Sequence, residues 1–144
     1  MNISYREKSI WVSLLSTLFI FGYYFYSAFS ILRTPYANMH MFALMGLFIG
    51  VMVWMIIVQI VLHIILAIVN RAEAEKDEDE RDKLIDLKAT KVSYYLLILG
   101  VWVTIFSLFV LQSPAWTATI LLFISILAEL VGFAVQLFYY RRGV

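Results

Sequence analysis

Apolar residues run along this chain in four long blocks separated by short polar breaks, at residues 9–32, 41–70, 92–111 and 116–140. Crossing the hydrocarbon core of a bilayer takes roughly 20 apolar residues in helical form, so each block is long enough to span. The expected fold class is all-α, an integral membrane four-helix bundle, with residues 1–144 forming a single membrane domain. The second block belongs to a stretch from Thr34 to Asn70 that contains no Asp, Glu, Lys or Arg, and it must tilt or project beyond the bilayer. Between the third and fourth blocks, Gln112-Ser113-Pro114-Ala115 predicts a tight turn, with Pro114 ending one helix and starting the next. The first block follows Arg6 and Lys8 and so has the outline of a signal peptide. It is too long and too aromatic for one, and no small-residue cleavage pattern surrounds Tyr23-Tyr24-Phe25-Tyr26, so it reads as an uncleaved span.

Composition strengthens this picture. With 63% hydrophobic and 15% charged residues, the chain has too little polar surface to enclose a soluble core. It has no cysteine, which removes disulfides, thiolate chemistry and Cys-bound zinc.

Charge placement predicts the topology. Arg6 and Lys8 precede the first block, six basic residues lie between Arg71 and Lys91, and Arg141 and Arg142 follow the fourth, leaving only Arg33 on the opposite side. The positive-inside rule then places both termini and the 71–91 connection in the cytoplasm. Trp11, Tyr94, Tyr95, Tyr139 and Tyr140 fall in the inner aromatic belt, and Tyr36 and Trp116 in the outer one.

The connection RAEAEKDEDERDKLIDLKATK holds eight of the ten acids of the chain. It lacks Gly and Pro and is rich in helix formers, which predicts helical extensions of the second and third spans with a break near Lys76 to Asp79. Asp77, Glu78, Asp79, Glu80, Arg81 and Asp82 are candidate docking residues for a cytoplasmic partner, while a solvated, salt-bridged helical hairpin explains the same pattern without one. A divalent-cation site would need a compact set of oxygens, and the Gly of an EF-hand loop is missing, so no metal set is assigned. The acidic bias argues against direct contact with nucleic acid.

DEDERDKLIDLKATKVSYYLL, with two spans before it and two containing and following its end, resembles a family of small, uncharacterised bacterial membrane proteins. The resemblance rests on Asp79, Glu80, Arg81, Asp82, Leu84, Ile85, Asp86, Lys88 and Ala89, and on the opening YREKSIWVSLL. It implies four spans in a bacterial inner membrane. It also implies a regulatory setting, because such proteins are often encoded beside helix-turn-helix regulators. It implies no catalytic residue.

Polar groups inside the blocks form the other candidate site. Residues three and four apart share a helix face, which puts Ser125, Glu129, Gly132 and Gln136 on one stripe of the fourth span. Similar stripes are Ser93, Gly100, Thr104 and Ser107 in the third span and Ser13, Thr17, Tyr24 and Ser27 in the first. At about 1.5 Å rise per residue, Glu129, Gln59 and Thr104 lie roughly 15 to 18 Å deep, with His63 nearer the cytoplasm, and the expectation is that they converge. An ionised acid at that depth is expensive, so Glu129 is expected to be protonated and hydrogen-bonded to Gln59, His63 or a hydroxyl.

Two roles fit this group: a proton, cation or quinone-like ligand site, or hydrogen bonds that hold helices together. His40 and His63 are 23 residues apart, about 35 Å along the helix, so one protomer cannot place both on one haem, and a haem reading requires one shared between protomers through His63. Gly46 and Gly50 form a GxxxG motif on the face of the second span opposite Gln59, suited to packing within the bundle or in a homodimer, and Gly132 is a further packing position.

No catalytic pattern occurs in the connections, and there is no room for a soluble catalytic domain, so an enzyme is not expected and no cofactor is assigned. The leading expectation is a non-enzymatic membrane protein that docks a partner through the charged connection. The alternative is a small transporter or lipophilic-ligand protein built around Glu129.

Overall fold

The computed structural model describes residues 4–35, 40–71 and 79–142. These form four helices, α1 (Tyr5–Leu32), α2 (His40–Val69), α3 (Glu80–Leu111) and α4 (Pro114–Arg142), each long and apolar enough to cross a membrane. The all-α four-helix architecture is therefore as the hydropathy pattern predicts.

Local chemistry sets the ends. α1 begins at Tyr5, ahead of its apolar block, because the Ser4 hydroxyl accepts a hydrogen bond from the Glu7 amide and so caps the first turn. α3 begins at Glu80, well before the apolar residues that start at Val92. Its cap is Asp79, in extended conformation, whose carboxylate accepts from the Glu80 amide at 2.8 Å. Glu80 and Asp82 in the first turn then favour the positive end of the helix dipole. Asp79 fits the predicted break in the connection, and the remainder of that break lies outside the described residues.

The α3 to α4 turn is made by Gln112, which takes the left-handed conformation at φ 48° and returns its amide to the Leu108 carbonyl. Pro114 follows as the first residue of α4, where its missing N–H is no loss.

α1 and α4 are the central pair. α2 packs on α1, α3 on α4, and α2 meets α4 more lightly. The α1, α2 and α4 core includes Phe21, Tyr24, Ala28, Leu44, Val51, Ala115 and Ile126. Edge-on aromatic contacts reinforce it, with Tyr24 against Phe48 on α2 and Phe25 against Phe123 on α4.

The α3 and α4 pair instead relies on small residues. A Cβ on Gly100 would fall on the Ile124 side chain, and one on Gly132 would fall on the Ser93 hydroxyl. Phe42, Trp54, Trp102, Phe106 and Phe109 are each more than half exposed, which gives the bundle the apolar exterior that acyl chains require. Contacts between Lys8 and Asn70, Arg6 and Asp82, and Arg141 and Glu7 gather the starts of α1 and α3 and the ends of α2 and α4 at one end. This is the charged end of the bundle.

Candidate functional site at the charged end

The first turn of α3 is fastened to two other helices through one carboxylate. Asp82 accepts the Tyr140 hydroxyl at 2.7 Å on Oδ1 and pairs with the Arg6 guanidinium at 3.0 Å on Oδ2. One turn further along, Asp86 accepts from the Gln136 amide at 2.8 Å. Asp82, Asp86 and Ser93 descend one face of α3 as Tyr140, Gln136 and Gly132 ascend the facing side of α4, so the two antiparallel helices meet rung by rung. Arg81 adds a long hydrogen bond to the Tyr140 carbonyl, and Arg141 pairs with Glu7 across α4 and α1.

Arg6, Asp82, Asp86, Gln136 and Tyr140 line a half-open cavity of about 500 Å³ between α1, α3 and α4. Arg6, Lys83, Asp82 and Asp86 bring both signs of charge to its lining, while Ile10, Ile85 and Leu87 give it an apolar side. Ser9, Thr90 and Gln136 supply neutral polar groups. The side chains of Lys83, Ser9 and Thr90 make no hydrogen bond or ion pair among the described residues. The mixed lining can recognise a ligand that carries both charges and an apolar part.

Of the predicted docking residues, Asp79 is spent partly on capping, Glu80 and Arg81 are exposed, and Asp82 turns inward to Arg6 and Tyr140. Asp77 and Glu78 lie outside the described residues, as does Tyr36.

The intramembrane group does not assemble as its depths suggested. The Gln59 amide donates to the Ser16 hydroxyl at 2.9 Å, and His63 meets the Ser13 hydroxyl through Nε2 and the Gln59 carbonyl through Nδ1. Both residues thus belong to the α1 and α2 seam. Thr104 is buried on α3 and donates to the Gly100 carbonyl of its own helix. Glu129 is exposed, with no hydrogen bond or ion pair among the described residues, so the expected bond to Gln59, His63 or a hydroxyl is absent. Thr104 does not share the level of Glu129: Ser93 faces Gly132 and Gly100 faces Ile124, so the α3 to α4 register sets Thr104 about nine residues, or roughly 13 Å, further from the charged end, while Gln59 turns to α1 and α2 meets α4 only lightly.

No family model, curated protein or solved structure matches the chain.

Two buried polar atoms, Thr17 Oγ1 and Gln59 Oε1, lack a partner among the described residues. Gly46 and Gly50 face open space, so the GxxxG face is not used for close packing inside the bundle, whereas Gly132 is. Among the described residues no group of three or more His, Asp or Glu is arranged to hold a metal ion.

Sequence reasoning missed the cavity residues Arg6, Ser9, Thr90 and Tyr140 as a unit. In the sequence Tyr140 reads as an aromatic-belt residue and Arg6 as a topology signal. The signal that relates them is the gathering of helix ends on one side, combined with the four-residue steps Asp82 to Asp86 and Gln136 to Tyr140.

Proposed function

We propose that this is a non-enzymatic, multi-pass protein of a bacterial inner membrane, with both termini cytoplasmic, that docks a cytoplasmic regulatory partner at its charged end. The observation that carries this reading is the fixed first turn of α3. Asp82 ties that turn to α1 and α4, while Asp79, Glu80, Arg81 and Lys83 beside it remain exposed. A surface held by the bundle loses little conformational entropy when a partner engages it, which favours affinity. The basic residues concentrated at this end support its cytoplasmic orientation. The reading is tested by cross-linking in intact cells from a photoreactive residue at the exposed Leu84, in the otherwise unaltered protein and in one carrying E80K, which leaves the Asp79 cap in place. A specific adduct that the charge reversal abolishes is expected, and an adduct pattern unchanged by the reversal overturns the reading.

A second reading, transport or binding of a lipophilic ligand through Glu129, draws support from the exposure of that carboxyl and its lack of a partner among the described residues. Glu129→Gln abolishing proton-linked uptake in vesicles while leaving thermal stability unchanged is the result that would favour it.

A further inference from the structure

We infer that the cavity between α1, α3 and α4 is a binding site for the headgroup of a zwitterionic phospholipid, one that carries a phosphate and a primary ammonium. Three features lead there.

The first is position. Ser9 opens the first apolar block and Gln136 lies inside the fourth, whereas Arg6, Asp82 and Lys83 lie outside every apolar block. The cavity therefore straddles the depth at which acyl chains give way to headgroups. Side chains near it have the same interfacial character: the Lys88 ammonium stands 5.1 Å from the Tyr139 ring centre, and the Arg141 guanidinium 5.8 Å from that of Trp11.

The second is charge. Two cations and two carboxylates line one compartment, and they are not all satisfied by one another. Asp82 is held by Arg6 and Tyr140, and Asp86 by the neutral Gln136 amide, which leaves the Asp86 charge without a cationic partner among the described residues. Lys83 likewise has no anionic partner there. A headgroup whose phosphate meets Lys83 and whose ammonium meets Asp86 satisfies both with charge-assisted hydrogen bonds. The free hydroxyls of Ser9 and Thr90 are further donors to phosphate oxygens.

The third is shape. A volume of about 500 Å³ is in the range of small-molecule sites, and Ile10, Ile85 and Leu87 form an apolar side along which chains can leave toward the bilayer. An anionic headgroup without an ammonium would leave Asp86 unpaired beside it.

The test is native mass spectrometry of the purified full-length protein in detergent, titrated separately with phosphatidylethanolamine and phosphatidylglycerol. The expected result is preferential retention of phosphatidylethanolamine. Asp86→Asn, which still accepts from Gln136, should remove the preference. Lys83→Ala, at an exposed position, should weaken retention about tenfold, as expected for loss of one charge-assisted hydrogen bond. Equal retention of the two lipids by the unaltered protein overturns the inference, as does a preference that survives Asp86→Asn or retention that survives Lys83→Ala. Soluble phosphoethanolamine displacing the lipid at equal concentration would assign the cavity to a water-soluble ligand and overturn the lipid assignment. The experiment contains no protein partner, so its outcome is independent of the docking reading.

Discussion

The Tyr140 hydroxyl donates a 2.7 Å hydrogen bond to Asp82, joining the last turn of α4 to the first turn of α3 across 58 positions of sequence. The same carboxylate holds Arg6 of α1, and its side chain is only 17% exposed. Three helices therefore depend on one acid at a partly shielded site.

Removing one arm of that junction should be measurable. Tyr140→Phe deletes the hydroxyl and little else, and is expected to lower stability by about 1 to 2 kcal/mol, the range for a hydrogen bond to a charged group discounted for partial exposure. Asp82→Ala, which strands both Arg6 and Tyr140, should be more damaging. Thermal denaturation of the detergent-solubilised protein, followed by circular dichroism, checks both, and equal stability of Tyr140→Phe and the unaltered protein would show that the bond contributes nothing.

The glycines should divide into two classes. Gly100→Ala forces a methyl against the branched Ile124 side chain, Cβ included, and should destabilise by about 1 to 3 kcal/mol as overpacking does, whereas Gly132→Ala meets only the Ser93 hydroxyl, which can rotate away, and should cost less. Gly46→Ala and Gly50→Ala add a methyl to open space and should be neutral or slightly stabilising. Apparent melting temperatures of the four variants give the comparison.

Gln112 offers a stabilising change. It occupies left-handed backbone space at φ 48°, which costs a side-chain-bearing residue roughly 1 kcal/mol or more relative to glycine. Gln112→Gly is expected to raise the melting temperature, and Gln112→Val to lower it.

Glu129 and Gln59 should respond differently to substitution. Glu129→Gln is expected to shift stability by no more than about 0.5 kcal/mol, since the carboxyl has no partner to lose among the described residues. Gln59→Leu removes the bond to Ser16 on α1 and should cost roughly 0.6 kcal/mol, typical of hydrogen bonds between membrane helices. Denaturation in mixed micelles of increasing SDS fraction resolves differences of this size.

Hydropathy made the four helices legible because block length is a direct consequence of bilayer thickness, and the capping residues Ser4 and Asp79 explain where α1 and α3 outrun their blocks. Of the stripe that helix-face periodicity predicts in the fourth span, Gly132 and Gln136 meet α3, while Glu129 is exposed and Ser125 bonds back to Leu121 of its own helix. Pairing between helices was not legible. Depth counted from the ends of the apolar blocks misplaces Thr104, because the polar first turns of α3 pack alongside α4 and shift its register, and depth says nothing about azimuth, so Gln59 turns to Ser16 on α1 while Glu129 is exposed. The polar junction at the charged end is not legible for a related reason: Arg6, Asp82 and Tyr140 are distant in sequence, and each has a sufficient local explanation as a topology signal, an exposed acid or a belt residue.

The continuity of α3 has a mechanical consequence. Its 32 residues make a shaft about 48 Å long with no glycine or proline break before the buried Gly100, and the shaft is gripped at Asp82. Below that grip the same face is held again by Gln136 on Asp86, by Ser93 against Gly132 and by Gly100 against Ile124. Loss of the Asp82 junction therefore frees the end of the shaft from α1 while α4 still fixes its orientation in the middle of the bundle.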